Sequence, residues 1–304
     1  MSIKKFYIGA ICNRDVEIFH KIVDFAKQNH NIKIVNLLKK GKFKTKYFKK
    51  KIKKYPFSLL IIKLYSEESN EEIYQAVAKY APHIPRLNSV LAVKTCESRR
   101  ATYHLVDKKC KKTNYPKPYY SVRDALKAIL KGKKLIVKRD VHSSRHIKKE
   151  DRIVGIAKKP CDLLDFIKGR NINELFFQEY LGKFDVVYKA YIIDRWIVSI
   201  TSHDRLKKYD LTPLELVHIR VPIDKELKRR ILKIGRKFGM SVYGVDYVML
   251  EDGTPYIVDI NDFPSFRNIP EAISLISDHL YEIVNARQNL EKLPYYFKSK
   301  SYMT

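Results

Sequence analysis

Two short apolar segments separated by Asp252 and Gly253 constrain the fold of this 304-residue chain more than any other feature. Residues 243–250 and 255–260 have the length and the composition of buried strands. A type I′ turn requires positive φ at both central residues, and the Asp-Gly pair tolerates this conformation. The sequence therefore predicts a two-residue β-hairpin whose register places Asp246 directly opposite Asp259.

The two facing carboxylates of this predicted hairpin need a counter-charge. Their strands are otherwise apolar, and Asn261 points to the same side as Asp259, opposite the small Gly244. Like charges that face each other in a buried place are unfavourable unless a cation lies between them. Mg²⁺ prefers carboxylate and amide oxygens, so we predict that Asp246, Asp259 and Asn261 bind magnesium. The alternative is that one aspartate pairs with a nearby lysine.

The net charge of +28 indicates a polyanionic partner, which could be a nucleic acid, an anionic membrane or a phosphorylated small molecule. The 45% hydrophobic content excludes disorder for most of the chain. The four cysteines lie far apart, which favours reduced thiols and provides no zinc motif. No apolar run reaches the ~18 residues of a membrane helix, and the N-terminal residues do not resemble a signal peptide. We therefore expect a cytoplasmic protein without a membrane partner.

The first third of the sequence alternates strand-like runs with helical patterns, which is typical of an open α/β layer. Further along the chain, residues 87–109 have a helical pattern. Two lysines interrupt later apolar strands: Lys138 follows residues 135–137, and Lys189 lies within residues 186–193. A lysine in such a strand can face a cleft and neutralise phosphate groups, or it can extend to solvent from a sheet edge. The chain has neither a P-loop nor a Gly-x-Gly-x-x-Gly motif.

Several of these segments resemble the ATP-grasp superfamily. Residues 244–246 followed by 258–264 (Val-Asp-Ile-Asn-Asp-Phe-Pro) are similar to its metal-binding signature, and residues 177–181 (Phe-Gln-Glu-Tyr-Leu) to its adenine-binding hinge. Within the superfamily, the chain most resembles the inositol 1,3,4-trisphosphate 5/6-kinases. This resemblance rests on residues 259–264, on the Tyr188-Lys189 strand, on Arg99 with Tyr103 and Leu105, and on residues 62–64.

The resemblance implies an α/β (α+β) ATP-grasp fold, in which an N-terminal open α/β domain precedes two subdomains that clamp the nucleotide. The predicted boundaries are 1–95 for the N-terminal domain, 96–182 for the central subdomain, 183–290 for the C-terminal subdomain and 291–304 for a tail. ATP and Mg²⁺ are the implied cofactors. Asp246, Asp259 and Asn261 would bind the metal, and the nucleotide would contact Arg99, Lys138, Gln178, Glu179, Tyr180, Leu181 and Lys189. Lys189 would also act in catalysis, and Lys63, His142, Lys189 and Ser265 would contact the substrate.

The sequence also departs from the kinase pattern, mainly in the predicted acceptor site. Ile62 replaces a histidine, Ser265 replaces a glycine, and residues 141–144 lack the glycine of the expected His-Gly loop. Asn13 and Arg14 stand where a pair of lysines is expected. His142 could be the loop histidine displaced by one position, or an ordinary surface histidine.

The main functional hypothesis is a monomeric kinase that transfers the γ-phosphoryl group of ATP to a hydroxyl of an inositol phosphate. The alternative is a carboxylate-amine ligase of the glutamate-adding type, which would use the same ATP site to form an acyl phosphate. A third hypothesis is a nucleic-acid-binding protein. It is motivated by the lysine-rich residues 39–54, which otherwise form a solvated loop or helix face, and no nucleic-acid-binding motif supports it.

Overall fold

A computed structural model of the chain describes residues 5–67, 69–148, 150–203 and 218–286. The strands are β1 (Phe6–Cys12), β2 (Ile32–Asn36), β3 (Leu59–Lys63), β4 (Arg86–Leu87), β5 (Pro118–Tyr119), β6 (Leu135–Arg139), β7 (Ile153–Ala157), β8 (Leu175–Glu179), β9 (Val186–Ile193), β10 (Trp196–His203), β11 (Arg220–Val221), β12 (Val242–Met249) and β13 (Pro255–Asp262). The helices are α1 (Val16–His30), α2 (Thr45–Lys54), α3 (Asn70–Tyr80), α4 (Val90–Cys96), α5 (Arg99–Lys109), α6 (Val122–Leu130), α7 (Pro160–Ile167), α8 (Lys225–Phe238) and α9 (Ala272–Ala286).

The N-terminal sheet is parallel, with strand order β2-β1-β3-β4. Alternate side chains of β3 enter two different cores: Leu59 and Ile61 pack with α1 and α9, whereas Leu60 and Ile62 pack with α2 and α3. Burial on both faces explains why these strands are continuously apolar, as a parallel sheet covered by helices requires. The carboxyl ends of β1 and β3 lie at the same edge, so this sheet presents Arg14 and Lys63 close together.

The central sheet is antiparallel, with strand order β5-β8-β6-β7. Leu135 and Val137 of β6 pack in a core with α6 and α7. Because side chains alternate along a strand, Ile136 and Lys138 lie on the opposite face, which lines a cavity. This alternation explains why a lysine follows three apolar residues.

The C-terminal sheet is also antiparallel, with strand order β11-β10-β9-β12-β13. Helix α8 covers one face, where its apolar stripe packs against Val245 and Tyr247 of β12. Asp246 and Val248 project from the other face and line the same cavity as Lys138. The two sheets thus contribute opposite walls of one cleft.

The β12–β13 hairpin confirms the pairing of Asp246 with Asp259, although the turn differs from the prediction. Leu250 and Thr254 form the closing hydrogen bond, so the loop has three residues, and only Gly253 among them has positive φ. This longer loop shifts the register by one residue, and a bulge after Asp246 shifts it back. As a result, Tyr247 pairs with Ile257, whereas the two-residue turn had predicted Val258. Val258 instead lines the cavity.

The structure differs from another local prediction as well. Residues 87–109 do not form one helix, because Ser98 caps a new helix by accepting a hydrogen bond from the Ala101 amide, and α4 and α5 are therefore separate. The basic run folds in part as α2, which buries Phe48 and leaves most of its lysines exposed or partly exposed. The nucleic-acid hypothesis for this run stays a prediction. So do the domain boundaries, and the predicted tail, residues 291–304, lies outside the described residues.

Within the described parts of the chain, no helix combines the length and the apolar character that a membrane span requires.

Candidate active site

Two adjoining chambers occupy the cleft between the three sheets. The apolar chamber has a volume of about 170 Å³ and lies between the central and C-terminal sheets. Its apolar walls include Ile136, Ile153, Phe184, Val187, Val248 and Val258. The polar chamber has a volume of about 680 Å³ and opens toward the N-terminal sheet. Five charged residues line both chambers and mark their boundary: Arg99, Arg152, Lys189, Asp246 and Asp259.

Asp246 and Lys189 form an ion pair at this boundary. They are direct partners on the neighbouring strands β12 and β9, and the Lys189 ammonium lies 2.7 Å from the Asp246 carboxylate. Both side chains remain about one-fifth exposed. The lysine pairing that the sequence offered as an alternative to a metal is therefore present, but only for Asp246.

Asp259 lies between a guanidinium and an imidazole. Its carboxylate is 3.9 Å from Arg99 Nη2 and 3.4 Å from His142 Nδ1. Burial favours the protonated acid, but His142, Arg99 and Lys138 together hold the pKa of Asp259 below its usual value. Burial also lowers the pKa of His142 to about 3. The imidazole is therefore neutral near neutral pH, where Arg99 and Lys138 are the cations that balance the Asp259 carboxylate.

Asn261 completes the predicted metal-binding set. Its side-chain oxygen is hydrogen-bonded to His142 Nε2, so the same imidazole contacts both Asp259 and Asn261. Gly244, the cross-strand partner of Asn261, leaves room for Pro264: a Cβ atom at this position would lie only 3.0 Å from the proline ring. The three oxygen-bearing side chains therefore converge on the polar chamber, and Asp246 and Asp259 also reach the apolar one.

This donor set fits Mg²⁺. Two carboxylates and one amide supply hard oxygen ligands, and the carboxylate side chains keep about one-fifth of their surface exposed to the chambers. Arg99 and Lys189 balance the formal charge of the two carboxylates, so a divalent ion would bind here together with an anionic ligand such as a phosphate. The metal-binding roles of these residues stay a prediction.

The predicted nucleotide contacts, including Lys138, line the apolar chamber. The Lys138 ammonium donates to the Gln178 side-chain oxygen at 2.9 Å, and Gln178 in turn donates to the Pro116 carbonyl. Burial lowers the pKa of Lys138 to about 8, against the opposing effect of Asp259. Glu179, Tyr180 and Leu181 follow Gln178 along the same wall. The structure therefore brings together all the residues predicted to contact the nucleotide.

The residues predicted to contact the substrate do not all reach the cleft. His142, Lys189 and Ser265 line the polar chamber, whereas Lys63 is only 2% exposed and lines neither chamber. Its ammonium donates to the Asp15 carboxylate at 3.0 Å and to the Phe263 carbonyl at 2.6 Å. Lys63 thus lies behind the chamber wall, where it anchors the segment that follows Asn261.

Arg14 also anchors the segment that follows Asn261, but it lies on the chamber side. Its guanidinium donates to the carbonyls of Asp262 and Phe263, at 2.7 and 3.1 Å, and it also lines the polar chamber. Its Nε atom is buried and has no hydrogen-bond partner among the described residues.

Other side chains of the polar chamber were not predicted from the sequence. They include Arg152, Arg267, Asn268, Tyr65 and His218. Tyr65 ends the apolar run of residues 57–65, and the other four lie outside the apolar runs of the sequence, so no periodicity distinguishes those four from surface residues. Arg14 was also not among the predicted site residues, although it carries a sequence signal, because it stands where the family pattern expects a lysine.

No protein-family model and no curated protein sequence matches this chain. Solved structures do match it. D-alanine–D-alanine ligase from Bacillus anthracis, complexed with ATP, has a TM-score of 0.64 at 14% identity, covering 94% of this chain and 99% of that one. A RimK domain ATP-grasp protein from Sphaerobacter thermophilus has a TM-score of 0.60 at 13% identity, covering 90% and 98%.

A RiPP-associated ATP-grasp ligase from Chryseobacterium gregarium, in complex with ADP and with leader and core peptides, has a TM-score of 0.64 at 10% identity. The match covers 93% of this chain and 97% of that one. These similarities extend over nearly the whole chain, and they confirm the predicted α/β ATP-grasp fold.

Proposed function

We propose that this ATP-grasp chain is an ATP- and Mg²⁺-dependent ligase that joins a carboxylate to an amine. The observation that carries the proposal is the position of Asp246 and Asp259 at the boundary between an apolar and a polar chamber. A phosphoryl group transferred between two bound molecules must pass such a boundary. The structural relatives support ligase chemistry over kinase chemistry, since they include a D-alanine–D-alanine ligase and a peptide-bound ligase.

In this proposal the apolar chamber holds the nucleotide. Ile136, Val187 and Val248 lie on opposing walls and would enclose the adenine ring. Lys138 would exchange its hydrogen bond with Gln178 for one with a phosphate oxygen, and Arg99 would contact the phosphates from the boundary. The attraction between an ammonium and an anion is stronger in low-dielectric surroundings, so this buried lysine suits an anionic ligand.

The polar chamber would hold the acceptor. The acceptor carboxylate takes the γ-phosphoryl group while ADP leaves, and the amine then attacks the acyl phosphate, which releases phosphate and forms the amide. Mg²⁺ bound by Asp246, Asp259 and Asn261 would neutralise phosphate charge during the transfer. Lys189 lies beside Asp246 and would stabilise the transferred group, while Arg14 and Arg267 would bind an acceptor carboxylate.

An inositol phosphate kinase is the second candidate, and the cationic lining of the polar chamber favours it. Arg14, Arg99, Arg152, Lys189 and Arg267 all line this chamber. Such a set suits an acceptor with several phosphates as well as one with carboxylates. The resemblance of residues 259–264 to the kinase pattern supports the same candidate.

Product analysis separates the two candidates. The protein is incubated with ATP and Mg²⁺, in one series with pooled amino acids and short peptides and in another with inositol phosphates. ADP release and product masses are measured in both, with Asp259→Asn as the inactive control. We expect an amide product and ADP release that depend on carboxylate and amine together. A phosphorylated inositol phosphate without any amide would replace the ligase by the kinase.

A further inference from the structure

A second group of potential metal ligands lies at the junction of the C-terminal sheet and helix α9. Asp194 occupies the turn between β9 and β10, and His279 and Glu282 lie on α9. One ligand atom from each residue falls within 4.8 Å of the other two, and no other group of three or more His, Cys, Asp or Glu residues meets this distance among the described residues. None of the three lines either chamber of the cleft.

The local structure fixes the positions of all three residues. Asp194 adopts a left-handed conformation with φ 53°, and its amide donates to the Ser241 carbonyl at 2.7 Å, which anchors the turn against the start of β12. His279 and Glu282 are three residues apart on the helix, so their side chains share one face. The sheet and the helix thus present one carboxylate each around a single imidazole.

His279 has an unsatisfied nitrogen that points into this group. The residue is only 3% exposed, and its Nε2 atom is 3.0 Å from the Ser241 hydroxyl. The Nδ1 atom is buried and has no hydrogen-bond partner among the described residues; its nearest carboxylate oxygen, in Glu282, is 4.0 Å away. Leaving a buried polar atom unpaired has a desolvation cost. An ion on Nδ1 would remove this cost, and the Ser241 hydroxyl would orient the ring, as the partners of metal-bound histidines commonly do.

We propose that Asp194, His279 and Glu282 form a zinc site that joins α9 to the β9–β10 turn. One imidazole nitrogen and two carboxylate oxygens suit Zn²⁺, with a water molecule as the fourth ligand. Tetrahedral bonds of about 2.1 Å separate ligand atoms by roughly 3.4 Å. Rotation of the half-exposed Glu282 side chain would close the remaining distance.

The competing explanation is an ion-pair cluster without metal. Arg195 Nη2 lies 3.8 Å from the Glu282 carboxylate, and the His279 imidazole, 4.0 Å away, lowers the pKa of the same carboxyl group. The guanidinium is 72% exposed, however, so it can move into solvent when a cation binds to the carboxylate. Neither arrangement affects the proposed nucleotide and magnesium sites, which are formed by other residues.

Zinc binding by the full chain tests the proposal. Zn²⁺ is titrated by calorimetry in the Asp259→Asn, Cys161→Ser background, which removes a ligand of the cleft and the exposed thiol. Co²⁺ absorption then reports the coordination geometry. We expect one bound ion, a tetrahedral cobalt spectrum and a rise in the thermal midpoint with zinc. Glu282→Gln and Asp194→Asn should each weaken the affinity at least tenfold, whereas the exposed Glu251→Gln should not.

Glu282 and Asp194 are exposed or partly exposed, so their variants test the site without leaving a cavity. A substitution of the buried His279 would leave one. Circular dichroism and the midpoint without zinc check that each variant is folded. Equal zinc affinity in all variants, or no binding by the parent chain, would overturn the proposal and leave the ion-pair cluster as the explanation.

Discussion

The apolar and polar chambers share Arg99, Arg152, Lys189, Asp246 and Asp259, yet the rest of their walls differ in origin. The other predicted contacts of the apolar chamber lie on strands β6 and β8 or directly after β8. The polar chamber adds residues from the segments after β1, β3, β6 and β13. Under the proposed function, the rigid strands would bind the nucleotide, whereas the loops would determine which acceptor is bound.

The two chambers also differ in how their cations are held. Lys138 has one side-chain partner, Gln178, and no carboxylate within ion-pair distance among the described residues. An anionic ligand can therefore replace Gln178 as the partner of the ammonium. Arg14 is already bonded to two backbone carbonyls and to Asp262, and Lys63 behind it is bonded to Asp15. Some cations of the polar chamber therefore stabilise the protein segment that forms its wall and are less available to a ligand.

The largest expected effect is at the boundary, where one substitution should disable both chambers. Asp259→Asn replaces a predicted metal-binding carboxylate with a neutral amide. Since loss of even an indirect metal partner costs about 10–100-fold, we expect ADP release to fall at least about 100-fold. The exposed Asp252→Asn, in the loop of the same hairpin, is the matched control and should retain activity. Unchanged activity of Asp259→Asn would remove the magnesium site from the proposal.

The next effect should be confined to the apolar chamber. Lys138→Met preserves the length of the side chain and removes its charge. Hydrogen bonds to charged groups contribute about 1.5–3 kcal/mol, so we expect the dissociation constant of ATP to rise about 20-fold. The acceptor KM at saturating ATP should hardly change. The exposed Lys134→Met, just before the same strand, is the control, and equal effects of the two substitutions would contradict the contact.

A smaller effect should be confined to the polar chamber. Arg267 is 57% exposed and lies 3.7 Å from the Asp15 carboxylate, so solvent weakens its interactions. We expect Arg267→Gln to raise the acceptor KM about fivefold and to leave ATP binding unchanged. Arg229→Gln, on the exposed face of α8, serves as the control. A change in ATP affinity instead would mean that the two chambers do not bind separate ligands.

The two chambers also show what the sequence could predict. The pairing of Asp246 with Asp259 was predicted correctly: apolar alternation and the Asp-Gly pair identify the hairpin, but they leave its register uncertain by a residue. The turn itself was misjudged, and the bulge that compensated for it has no sequence signal here. Side chains such as Arg152 and Arg267 could not be identified, because their positions depend on contacts between segments far apart in the sequence. The orientation of Lys63 away from the chamber was likewise set by a distant partner, the Phe263 carbonyl.

The pH dependence of stability tests whether the Lys63 ammonium is buried behind the wall of the polar chamber. Burial, aided by Arg14, lowers the pKa of Lys63 from 10.5 to about 8, although Asp15 opposes the shift. Between these two values the unfolded chain binds more protons than the folded one, so the contribution of Lys63 to the free energy of unfolding increases as the pH rises. Below about pH 8 both states are protonated, and the contribution is constant.

We therefore expect the free energy of unfolding of the parent chain to gain about 1 kcal/mol, relative to Lys63→Met, between about pH 8 and pH 9. Urea unfolding of both proteins across this range measures the difference, and the effects of all other titrating groups cancel to first order. Lys94→Met, whose side chain is 55% exposed, is the control and should parallel the parent. Parallel curves for Lys63→Met as well would mean that Lys63 is solvated, and that the N-terminal sheet leaves it free to contact an acceptor.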